Sequence, residues 1–158
     1  MSEQKNKEIY LTEEGLREIK DELNYLKAEK RPEVITAIKE ARALGDLSEN
    51  ADYHVAREEQ AILELRIQEL EDIIENAIII KNQKSNKVKI GTTVTIEYSG
   101  DDEIEEYKIV GSCEANPSQN KISNESPIAK AIIGHKKGDI VTVESPNGTY
   151  DVKILEIK

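Results

Sequence analysis

The feature that most constrains this chain is a long stretch with one apolar stripe at coiled-coil spacing. Tyr53, Ala56, Gln60, Leu63, Ile67, Leu70, Ile74 and Ala77 alternate spacings of three and four, which predicts a helix with a seam over about three and a half heptads. A first helix is expected to start after Thr12, a suitable N-cap, with Leu16, Ile19, Leu23 and Leu26 in the same rhythm. The rhythm then skips one residue and resumes at Val34, Ile38 and Ala41, with Pro32 in the gap. A proline removes a backbone donor, so a bend is expected there. Two seam-bearing helices joined by a few residues around Gly45 must pair antiparallel, because neither seam can be buried alone. At ~1.5 Å per residue, helices of roughly 33 residues make a hairpin about 50 Å long, so reach is the purpose the length suggests.

From Val88 onward the period changes to short alternating runs between turn signals, and this change marks a second domain. The expected strands are "VKIGTTVTIEY", "EEYKIVGSC", "IVTVES" and "TYDVKILEIK", with a short helix "SPIAKAIIG" before the third. The reading is therefore α+β in two domains. Residues 1–80 form an antiparallel coiled-coil hairpin with its tip near 45–49, residues 81–87 ("KNQKSNK") a polar linker, and residues 88–158 a mainly antiparallel β domain.

Charge narrows the partners. Twenty-two basic against 32 acidic residues among 158 give a net charge of −10, which argues against free nucleic acid as the primary partner. Residues 1–84 hold 13 basic and 20 acidic groups and residues 85–158 hold 9 and 12, so neither half carries a basic footprint. The single cysteine, Cys113, cannot form an internal disulfide and reads as a small apolar residue in a strand. With no secretory signal and no long apolar run, the chain is expected to be cytoplasmic, without a membrane partner.

The tip, "EARALGDLSENADY" at residues 40–53, gathers Asp46, Glu49 and Asp52 around one glycine. Two readings stand side by side. Asp46 and Glu49 have the spacing of a capping box, and Ser48 is a rival N-cap. Alternatively the pair does chemistry. Mg²⁺ takes six oxygen ligands, so two exposed carboxylates hold it weakly and become useful inside a site that supplies the rest. Arg42 and Arg57 flank the acids, as contacts for RNA or as ordinary solvated helix charges.

"EARALGDLSENADYHVAREEQ", the coiled-coil stretch after it and "SPIAKAIIGHKKGDIVTV" resemble the GreA/GreB family of bacterial transcript cleavage factors over essentially the whole chain. The resemblance implies that the C-terminal domain is FKBP-like and binds RNA polymerase at its secondary channel, while the hairpin passes down the channel to the active site. It implies that Asp46 and Glu49 help bind the second Mg²⁺ of a backtracked polymerase, which then hydrolyses its own transcript. It further implies that Arg42 and Arg57 contact the extruded 3′ end of the nascent RNA, and that Ser126 and Pro127 belong to the polymerase-binding surface. With only that arginine pair near the tip, the chain is similar to the subtype that releases short fragments. It is expected to act as a monomer and not to be an enzyme itself.

Three rivals remain at this level. A family paralogue that inhibits polymerase would share fold and partner, but the retained acidic pair argues against it. A coiled-coil chaperone would favour exposed apolar residues at the tip, where Leu47 is the only large one between Gly45 and Asp52. A prolyl isomerase would need an aromatic-lined pocket. The chain has no Phe or Trp, and Tyr98, Tyr107 and Tyr150 read as packing residues, with "DDEIEE" at 101–106 as a solvated turn.

Overall fold

The computed structural model describes residues 8–46, 49–81 and 85–158. Strand β1 (Tyr10–Thr12) leads into α1 (Glu13–Tyr25), a π-helical turn (Leu26–Lys30) and α2 (Arg31–Ala43). Helix α3 (Ala51–Asn76) is followed by β2 (Ile78–Ile80), β3 (Thr93–Tyr98), β4 (Ile104–Val110) and β5 (Lys121–Ser123). Helix α4 (Pro127–Ile132) and strands β6 (Ile140–Ser145) and β7 (Gly148–Ile157) complete the chain.

Two compact units result, Leu16–Asn76 and Met1–Gly15 with Ala77–Lys158. The helical unit buries the predicted seam. Val34, Ile38, Ala56, Leu63 and Ile67 form its core, with Leu23, Leu26, Ala37 and Tyr53 packed against them. Arg31 grips Glu64 through two bonds of 2.9 Å, Arg66 grips Glu22 at 2.9 and 3.1 Å, and Lys27 pairs with Glu71. Each joins one helix of the pair to the other. Exposed pairs of this kind add only about 0–1 kcal/mol each, so they select the antiparallel register more than they stabilise it.

The skipped residue near Pro32 takes a form other than the expected simple bend. Residues 26–30 make a π-helical turn in which the Arg31 N–H reaches back five residues to the Leu26 carbonyl. A π turn holds one residue more than an α turn, so it absorbs the insertion and returns Val34 to the buried face. Pro32 follows directly after the widened turn, in a run that stays helical on both sides, and has no N–H to give to the preceding turn.

The other unit centres on a five-stranded sheet ordered β5-β4-β3-β7-β6, antiparallel except for the β4–β5 pair. Val94 and Ile96, Val141 and Val143, and Val152 and Ile154 alternate inward and pack with Ala129 and Ile132 of α4. Strands β6 and β7 and helix α4 fall where the sequence puts them. The first expected strand shrinks to 93–98, because Gly91 at φ +97° turns the chain just before it. Cys113 lies exposed in a turn after β4 rather than inside a strand, which corrects the apolar strand assignment.

The stretches at 10–12 and 78–80, read as part of the hairpin domain, instead pair as a parallel two-stranded sheet with Tyr10 opposite Ile78 and Thr12 opposite Ile80. Both belong to the sheet-containing unit. Of the expected linker 81–87, residues 82–84 lie outside the described residues. Among the described residues no helix is long and apolar enough to cross a membrane.

Candidate functional site

The turn between α2 and α3 is closed by one side chain. Asn50 is the N-cap of α3, its Oδ1 accepting the Tyr53 N–H at 3.1 Å. Its Nδ2 donates to the Ala41 carbonyl at 2.6 Å, which also accepts the Leu44 N–H at 3.2 Å in the last turn of α2. A single amide thus bonds to a donor of one helix and an acceptor of the other. Gly45, at φ +119°, turns the chain out of α2, and a Cβ there would meet nothing within 4 Å. Conformation rather than space explains the glycine.

This geometry corrects the capping-box reading. Asp46 lies four residues before the true cap, and the N3 position holds Tyr53, not a Glu. Asp46, Glu49 and Asp52 are all exposed, with Asp52 in the first turn of α3, where its charge suits the helix dipole. The rival cap Ser48, and Leu47 beside it, lie outside the described residues. Asn50 is the residue that sequence reasoning missed. Asparagine is among the strongest N-cap residues, but it was overshadowed by three neighbouring acids.

The arginines are fixed to different degrees. The Arg42 guanidinium sits 5.9 Å from the centroid of the half-buried Tyr53 ring, within cation–π range, so its head is held at the turn. Arg57 is exposed one and a half turns along α3 and donates to Gln60 Oε1 at 3.4 Å. Among the described residues no group of three or more His, Cys, Asp or Glu is placed to hold a metal. Asp46 and Glu49 offer carboxylate oxygens, the donor type Mg²⁺ takes, but two side chains fill only part of an octahedron.

In the sheet-containing unit, Ser126 caps α4. Its Oγ accepts the Ala129 N–H at 3.3 Å and donates to the Ser123 carbonyl at 2.7 Å, while Pro127 in the first helical turn is exposed. Tyr98, Tyr107 and Tyr150 pack against the core, as expected of packing residues. The Tyr98 and Tyr107 hydroxyls are 3.0 Å apart, and burial followed by that bond pushes the Tyr98 phenol well above its ordinary value. It is an uncharged group at any physiological pH.

Known proteins resemble the whole of this chain. Residues 9–79 match the family described as "Transcription elongation factor, N-terminal" and residues 82–158 the one described as "Transcription elongation factor, GreA/GreB, C-term". Transcription elongation factor GreA of Thermoanaerobacter pseudethanolicus is 51% identical over 155 residues, covering 97% of this chain and 99% of its own. The protein of the same name from Geobacillus kaustophilus is 50% identical over 154 residues, covering 96% and 98%. Among solved structures, GreA factor homolog 1 (Gfh1) of Thermus thermophilus is 28% identical, with 96% and 99% covered, at a TM-score of 0.44. Full-length identity near one half, with both halves matched in order, places the chain in the GreA/GreB family of transcription elongation factors.

Proposed function

We propose that this protein inserts its helical hairpin into the secondary channel of a backtracked RNA polymerase and stimulates the polymerase's own Mg-dependent cleavage of the nascent transcript. The observation that carries the reading is the capping of α3 by Asn50, which places Asp46 and Glu49 outside the cap as exposed carboxylates. In this role the two acids complete a coordination sphere that the polymerase holds only in part. With two ions bound, one would prepare the water nucleophile and the other would stabilise the leaving oxygen. Asp46 and Glu49 supply oxygens at that position and orient the water by accepting its hydrogen bonds. Arg42, held by Tyr53, and Arg57 neutralise phosphates of the extruded 3′ end.

The sheet domain docks at the channel rim through the surface around Ser126 and Pro127, and tethering raises the effective concentration of the acids at the active site. The protein acts as a cytoplasmic monomer and contributes ligands to another enzyme rather than a complete site of its own. The test is transcript cleavage by stalled elongation complexes, with and without this protein and its Asp46→Ala and Glu49→Ala variants. Stimulation by the wild type alone is expected; equal stimulation by all three would leave the acids without a chemical role.

A further inference from the structure

The loop after β4 brings Glu114 against the start of α1, and both carboxylate oxygens are engaged there. Oε2 accepts the Thr12 N–H at 2.8 Å, and Oε1 accepts the Thr12 hydroxyl at 2.6 Å. The hydroxyl oxygen in turn accepts the Gly15 N–H at 3.1 Å, the N-cap bond of α1. One side chain, 7% exposed, is therefore fixed in both its donor and its acceptor direction.

The surroundings are shaped for this contact. A Cβ at Gly15 would lie 2.1 Å from Glu114 Cδ, and a Cβ at Gly111 would lie 1.6 Å from the Tyr10 carbonyl oxygen. Glycine is a poor helix former, and its place in the first turn of α1 is explained by the volume the carboxylate occupies. The Thr12 hydroxyl alone suffices to cap a helix. The acid 102 positions later adds charge-assisted bonds that capping does not require. These residues all belong to one compact unit, whereas the rest of α1 runs on into the hairpin.

We propose that Glu114 is a positioning residue for the tip chemistry, locking the first turn of α1 to the docking domain so that the helix leading to the acidic pair starts from a fixed point. The proposal rests on the function proposed above. It is tested in the full chain with Glu114→Ala and Glu114→Gln, measuring stimulated cleavage against factor concentration and amide exchange residue by residue.

For Glu114→Ala the maximal rate at saturating factor is expected to fall about tenfold, a displacement effect acting from a distance, with the half-saturating concentration within about twofold of wild type. Exchange at Thr12 and Gly15 should rise while β3–β7 stay protected. Glu114→Gln keeps an acceptor for the Thr12 hydroxyl and should recover most of the rate. A normal maximal rate in Glu114→Ala, with exchange raised, would make the contact a local cap and overturn the proposal. So would a joint loss of docking affinity and sheet protection, which would mark Glu114 as a support of the docking domain's fold. If the wild type itself stimulated no cleavage, the function reading would fall and take this proposal with it; a stimulating wild type beside an unaffected alanine variant overturns this proposal alone.

Discussion

Helices α1 and α3 both begin beside carboxylates, and they use them in opposite ways. At α1 the acid is engaged, with Glu114 holding the amide and the hydroxyl of the capping Thr12. At α3 an uncharged amide caps, and Asp46 and Glu49 stand exposed before it. A carboxylate that completes a helix end is matched to donors already present in the fold. One that lies outside the cap and exposed, as Asp46 and Glu49 do, is not what closes the start of α3. Spacing in the sequence does not distinguish these cases; the identity of the capping atom does.

The contrast breaks most visibly at the acids themselves. Asp46→Ala or Glu49→Ala should reduce stimulated cleavage on the order of 100-fold, the scale of removing a group that stabilises transition-state charge, with polymerase binding and the melting temperature nearly unchanged. A drop in melting temperature comparable to that of an N-cap variant would return these residues to a structural role. Asn50→Ala should do the reverse. It removes the Tyr53 and Ala41 bonds together and is expected to cost about 1–2 kcal/mol in unfolding of the hairpin, read from the helical circular dichroism signal in urea.

Smaller effects sharpen the comparison. Arg42→Ala with Arg57→Ala should lower cleavage in deeply backtracked complexes about fivefold, since exposed charge contacts are each worth about 1 kcal/mol at most. Crosslinking from the RNA 3′ end to the hairpin should fall with it, and unchanged crosslinking would reduce both to surface charges. Least of all, Arg31→Ala, which breaks the bidentate pair with Glu64, should shift hairpin stability by less than about 1 kcal/mol, and the shift should shrink further in high salt.

What could be read without the structure follows the range of the interactions involved. The seam, the Thr12 cap, the Ser126 helix and the β6–β7 hairpin depend on residues a few positions apart, and all four were legible. The π turn was visible only as a skipped residue, because the pattern records an insertion but not whether the helix bends or widens to take it. Strands β1 and β2 were missed because three residues are too few to show a period, although the β-branched run Ile78–Ile80 was a signal that the helix had ended. Asn50 was hidden by its acidic neighbours. Cys113 was misplaced because β4 ends at Val110, and Gly111, which must lie against the Tyr10 carbonyl, already belongs to the turn. The Thr12–Glu114 contact joins residues 102 positions apart, and no local pattern announces it.

The pairing of β1 with β2 also sets an order of events during synthesis. The sheet-containing unit is assembled from both ends of the chain, with Leu16–Asn76 set between them. On the ribosome the hairpin closes through contacts between neighbouring stretches soon after Asn76 emerges, whereas Leu11, fully buried in the finished protein, must wait. Its neighbour Thr12 meets Glu114 only 102 residues later, which at about 5–20 residues per second is roughly 5 to 20 s of translation. Strand β1 thus gains its strand partner only after the hairpin has been made, and its bonds to Glu114 later again. Until residues 78–80 emerge, the backbone edge of β1 that pairs with β2 is open to whatever else in the cell binds nascent strands, and the carboxylate that secures Thr12 arrives later still.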